Sequence, residues 1–114
     1  MELIKKTTDN KVDLVRAVNT TKSLQNYTDT KLTLHGAIIF KEEEEENTVT
    51  SLKVSDETGE TFFINSISET VRKSAEAFID AFEPSDFEEG LPIKIVENTS
   101  KAGRTFYSLD IYFN

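Results

Sequence analysis

Near the end of the chain, "RTFYSLDIYF" (residues 104–113) alternates in two registers at once. Tyr107, Leu109, Ile111 and Phe113 fall on one side of a strand, as a buried face requires. The opposite side, which should meet water, carries Arg104, Phe106, Ser108, Asp110 and Tyr112. Rings and a guanidinium on the wet side of one strand offer flat π-surfaces beside a fixed positive charge. Lys101, in the preceding "NTSKAG" turn, adds a second cation. Further residues of these types lie elsewhere. Phe63 faces out of "TFFIN" if Phe62 and Ile64 face in, with Lys53 beside it on the preceding strand. His35 lies on the outer side of "KLTLHGAIIFK", and Tyr27 sits in a polar segment ahead of it. Rings take unstacked bases and cations take the phosphate line, so the set fits single-stranded nucleic acid. The ordinary alternative for each ring is packing under the chain's own N-terminal part.

Other chemistries find little purchase. The four glycines, 36, 59, 90 and 103, are scattered, so there is no Gly-rich phosphate loop. There is one histidine and no cysteine, which leaves neither a paired metal site nor a Ser-His or Cys-His couple with local context. No catalysis, cofactor or metal is expected.

The elements that must position these residues follow from periodicity. "DNKVDLVRAVN" reads as a helix capped by Asp9, with Val12, Val15, Val18 and Leu14 as a loose stripe. "KLTLHGAIIFK" alternates strictly: Leu32, Leu34, Gly36, Ile38 and Phe40 share one face, and Gly36 suggests a bulge or bend. "TVTSLKV" and "TFFIN" are the second and third strands. A helix within "NSISETVRKSAEAFIDAF" buries Val71, Ala75, Phe78, Ile79 and Phe82, starts at Ser66 or Ser68, and stops before Pro84. "PSDFEEGLP" reads as a loop, and "IKIVE" and "RTFYSLDIYF" as the last two strands. The order β-β-β-α-β-β is that of an OB-fold, a five-stranded barrel, here in an all-β domain with one or two helices. Residues 1–114 form one such domain, with 1–30 as a partly helical N-terminal extension.

Composition bounds the reading. The chain has 114 residues, a net charge of −8 and 30% charged residues, which suits one soluble domain. The charge is segregated: residues 1–31 carry six basic against four acidic groups, 32–90 four against fifteen, and 91–114 three against two. An acidic middle with mildly basic ends can still present a cationic face. The run "EEEEEN" must be solvated. No apolar run approaches membrane-spanning length and the N-terminus lacks a secretory core, so a cytoplasmic protein is expected.

"ISETVRKSAEAFIDAF" and "PIKIVENTSKAGRTFYSLDIYF" resemble the C-terminal half of the small single-stranded-DNA-binding proteins of protein-primed, Salasmaviridae-type Bacillus phages and related phages and plasmids. The shared features are an "IS-x-TV" helix start, its "A-x-x-x-I-D" continuation and a "T-S-x-x-G-x-x-F-x-S-L" hairpin, over roughly residues 66–113. Ser100, Gly103, Phe106, Ser108 and Leu109 are the matching hairpin positions. The resemblance implies a viral or plasmid protein, in the host cytoplasm if viral, that coats displaced single strands during replication, with no catalysis and little sequence preference. Single-stranded DNA is the expected partner, a homo-oligomer is left open, and recruitment through an acidic tail is not expected, because the chain ends in a strand. The competing reading is a phage-encoded acidic inhibitor whose carboxylates imitate DNA phosphates on a host enzyme.

Overall fold

The structure is a computed structural model and describes residues 1–111. Its elements are β1 (Glu2–Lys6), α1 (Lys11–Asn19), a 3-10 turn (Leu24–Tyr27), β2 (Leu32–Lys41), β3 (Thr48–Ser55) and β4 (Thr61–Ser66). They continue with α2 (Glu69–Ala81), α3 (Pro84–Glu89), β5 (Leu91–Thr99) and β6 (Thr105–Ile111). The strands form one antiparallel six-stranded sheet in the order β4-β3-β2-β5-β6, with β1 also paired to β2. One edge of β2 is thus shared: β5 takes its start at Leu32–Leu34, and β1 takes its end at Ile38–Lys41.

Six strands replace the expected five. The strand β1 carries no legible alternation. The free edge of β2 holds it extended, and Lys5 ties it to Asp80 of α2 at 3.1 Å. The expected loop at 84–92 instead folds as α3 and the first residues of β5. Pro84 sits in the first turn of α3, and Glu83 and Asp86 cap it reciprocally. For α2 the cap is Ser68, whose hydroxyl accepts from Val71 N, rather than Ser66. For α1 the cap is Asn10, which accepts from Val12 N and Asp13 N, rather than Asp9.

Gly36 is where the sheet departs most from strict alternation. The β2–β3 register shifts between Leu34 and Gly36, as the glycine suggests. The extra residue exchanges the two faces beyond it. Leu32 and Leu34 therefore share the inner core with Ala37 and Ile39, while Ile38 and Phe40 turn outward. A Cβ at Gly36 would lie 2.9 Å from Thr7 Oγ1 and displace that hydroxyl, which accepts from Ala37 N at 3.0 Å.

Two apolar clusters result. The inner one joins β2, β3, β4, β5 and β6 with Val71, Ala75 and Phe78 of α2, Leu24 and Phe87; Ile79 and Phe82 pack against it, as their spacing predicts. The outer one consists of Ile38, Phe40, Val49 and Phe63 covered by Ala17 and Leu14 of α1. The valine stripe of α1 does not face the sheet: Val12, Val15 and Val18 are 57%, 59% and 43% exposed, and Asp13 and Ala17 point inward instead.

The sheet is not closed, because β4 and β6 are not paired among the described residues. Residues 20–23 run along the free edge of β4, where Asn65 N donates to the Lys22 carbonyl at 2.9 Å and Thr20 Oγ1 to the Phe63 carbonyl at 3.0 Å. Opposite, Thr70 Oγ1 of α2 donates to the Tyr107 carbonyl of β6 at 2.7 Å. Leu24 is buried between the two sides. Among the described residues, no helix is long and apolar enough to cross a membrane.

Candidate functional site

The eight residues singled out by type do not converge on one place. His35, Lys53 and Phe63 line a cleft of about 590 Å³ on the outer face of the sheet, together with Thr8, Asn10, Asp13 and Arg16 beside α1. Phe63 does face outward, but it is 5% exposed, because Ala17 and Leu14 lie over it. It therefore offers no bare ring. Lys53 is likewise occupied, with its Nζ 3.1 Å from Asp13 Oδ2, a carboxylate that is itself buried. His35 Nε2 shares a hydrogen bond with Ser55 Oγ at 2.8 Å. Tyr27 packs on Phe62, with ring centroids 5.3 Å apart, and supports the inner core rather than an open surface. Lys22 stands over the other partner of this pair, 5.4 Å from the Phe62 ring centre.

The hairpin residues differ. Lys101 and Arg104 are exposed at the β5–β6 turn, and among the described residues neither joins a salt bridge. The turn is built by Ser100, whose hydroxyl accepts from Arg104 N at 3.1 Å, and by Gly103 at φ +81°. The left-handed conformation there explains the glycine. Phe106 follows on the outer face of β6 and is half-buried. Across from it on β5, Asn98 donates to Ser108 Oγ at 3.1 Å, a side-chain bond across the strand pair. Tyr112 lies outside the described residues.

Phe106 lines a second cleft, of about 440 Å³, that opens where β4 and β6 fail to pair. Its other walls are Ser23, Leu24 and Gln25 ahead of β2, Asn65 and Ser66 at the end of β4, Ile67 and Ser68 before α2, Glu42 after β2, Val49 in β3, and Thr105 and Tyr107. Ile67 stands at this cleft 66% exposed. Sequence reasoning found Phe106 but not Gln25, Asn65, Ile67 or Glu42. Ordinary residues of a turn, a strand end and two connections carry no local signal, and only the topology gathers them.

The acidic run follows directly from β2. Glu42 N donates to the Asn47 carbonyl at 2.9 Å to close the turn, Glu46 takes φ +56°, and the N-terminal ammonium pairs with Glu43. That ammonium holds the Glu43 carboxyl below its ordinary value through a hydrogen bond and charge attraction. Among the described residues, no group of His, Cys, Asp and Glu could hold a metal ion.

The arrangement supplies one half-buried ring, two exposed cations and a neighbouring cleft at the same end of one sheet. No curated protein and no solved structure matches the chain significantly. A family model described as phage single-stranded DNA-binding protein, of the Phi29 type, matches residues 5–112, well beyond the C-terminal half in which the likeness is visible by eye. The chain belongs to the Phi29-type family of phage single-stranded DNA-binding proteins.

Proposed function

We propose that the protein binds and protects single-stranded DNA during phage replication in the host cytoplasm, without catalysis, at the end of the sheet formed by the β5–β6 hairpin and the adjoining cleft. Family membership supports the ligand class. The observation that carries the location is the half-buried Phe106 ring on the wall of the cleft, two residues beyond the exposed Arg104. In this reading Phe106 stacks on a base, and Lys101 and Arg104 neutralise phosphates. An OB-fold reading is supported by the strand order, since β2 to β6 follow the expected sequence around α2 and the unpaired edges of β4 and β6 lie where such a barrel would close. His35, Lys53 and Phe63, on the face that α1 covers, serve this reading as structure.

Titration of oligo(dT) against tyrosine fluorescence and by gel shift at low salt tests the proposal. The wild-type chain is expected to bind. Phe106→Ala should lose about 1–3 kcal/mol of affinity, more than Lys94→Ala, which removes a surface cation outside the cleft. Absence of quenching and of a gel shift would favour the acidic-inhibitor reading, which predicts no DNA affinity at all.

A further inference from the structure

A further cleft, of about 340 Å³, opens where the end of α1 meets the start of β4. Arg16 and Lys22 line it, and no acidic residue does. The neighbouring clefts each carry carboxylates, Asp13 and Glu88 in one and Glu42 in the other. In a chain with 21 acidic and 13 basic residues, two exposed cations beside a cleft without a carboxylate mark a site for an anion. Neither side chain forms an ion pair among the described residues. The carboxylate three residues before Arg16, that of Asp13, is taken by Lys53 at 3.1 Å. At the negative end of α1, the Val15 carbonyl accepts from Asn19 Nδ2 at 3.0 Å and is turned away from solvent. Lys22 is held where it stands. Its Nζ lies 5.4 Å from the centre of the Phe62 ring, and its carbonyl accepts from Asn65 N at 2.9 Å. Two residues earlier, Thr20 Oγ1 donates to the Phe63 carbonyl at 3.0 Å. A cation already positioned loses less freedom when an anion arrives.

Resting on the single-stranded DNA reading, we infer that Arg16 and Lys22 together hold one phosphate of the bound strand, which follows the free edge of β4. The path is continuous along the chain. Ser23, Leu24 and Gln25 wall the cleft that contains Phe106, whereas Thr20 and Lys22 wall this one, and Ser23 is bridged to Asn65 of β4. A strand leaving Phe106 along residues 25 to 20 meets cations. In the direction of Glu42 it meets carboxylates that repel it. The planar guanidinium of Arg16 suits a pair of phosphate oxygens, and Lys22 adds a point charge.

The test is fluorescence anisotropy with labelled oligo(dT) and oligo(dC) of equal length over a range of salt concentrations. It uses the full chain and the variants Arg16→Gln, Lys22→Gln, the two combined, and Lys94→Gln, which removes a charge outside this cleft. Each single variant at the cleft should weaken binding about two- to fivefold, and alike for both oligonucleotides, because a phosphate carries no base identity. The combined variant should make the logarithmic salt slope shallower by about 0.7, the share of one phosphate on a single strand. Lys94→Gln should leave that slope unchanged. Losses no greater than that of Lys94→Gln, a loss confined to one oligonucleotide, or an unchanged slope in the combined variant would overturn the inference while leaving the single-stranded DNA reading intact. Failure of the unaltered chain to bind either oligonucleotide would overturn both.

Discussion

Gly90 and Gly59 separate two costs that a glycine replacement can carry. Both have positive φ, +99° and +86°, where an L side chain is strained. Around Gly59 a Cβ would meet nothing within 4 Å, so Gly59→Ala should lose only the backbone preference, about 1–2 kcal/mol. At Gly90, which ends α3 and leads into β5, the same Cβ would lie 2.4 Å from Thr33 Cγ2 and 3.1 Å from His35 Cε1. Thr33 and His35 belong to the central strand, so the new methyl forces their side chains off their present rotamers or shifts the backbone at the start of β5. Gly90→Ala should therefore cost about 2–4 kcal/mol, clearly more than its counterpart. Urea unfolding midpoints of the two variants at one pH would check this. Equal losses would mean that the α3–β2 packing is looser than the distances require.

At the scale of elements, the longest signals were the legible ones. The strands β2 to β6 and the helix α2 were readable because each sets a period of two or 3.6 against a core that uses it. The strand β1 and the orientation of α1 were not. The extended state of β1 is set by an edge of β2 more than thirty residues away, and nothing in "ELIKK" announces that edge. The face that α1 covers exists only because the bulge at Gly36 turns Ile38 and Phe40 outward. Valines were the obvious candidates for its buried side, yet the close approach to the sheet is made by the small Ala17 and by Asp13, drawn in by Lys53. The same cause divides the candidate site: Phe63 and Phe106 have the same residue type and the same outward orientation, but only one of them has a helix over it. This yields a paired expectation. Phe63→Ala empties the outer cluster and should destabilise the fold by about 3–5 kcal/mol. Under conditions where the variant remains folded, its DNA affinity should change less than that of Phe106→Ala. Phe106→Ala should do the reverse, weakening DNA binding with a smaller shift in the urea midpoint. A larger affinity loss from Phe63→Ala in folded protein would show that α1 lifts off to expose its ring.

For the molecule as a whole, the question is how a chain of net charge −8 approaches a polyanion. Fifteen acidic residues against four basic ones in the segment 32–90 set the long-range field, and the five consecutive glutamates stand next to the cleft at Glu42. Lys101 and Arg104 act only at close range. The two contributions depend on salt in opposite ways. Releasing counterions from two or three neutralised phosphates lowers equilibrium affinity as salt rises, with a logarithmic slope of about −1.4 to −2.1 for single strands. Screening of the acidic body, with a Debye length of about 10 Å at 0.1 M, lowers the repulsion met during encounter. Association should therefore become faster between 50 and 200 mM salt, while dissociation accelerates more and leaves a shallow net loss of affinity. Stopped-flow measurement of both rate constants with a labelled oligonucleotide distinguishes this from a basic groove, for which association slows as salt is added. A falling association rate would mean that the cations of the hairpin dominate the approach and that the acidic segment lies electrically remote from the strand path.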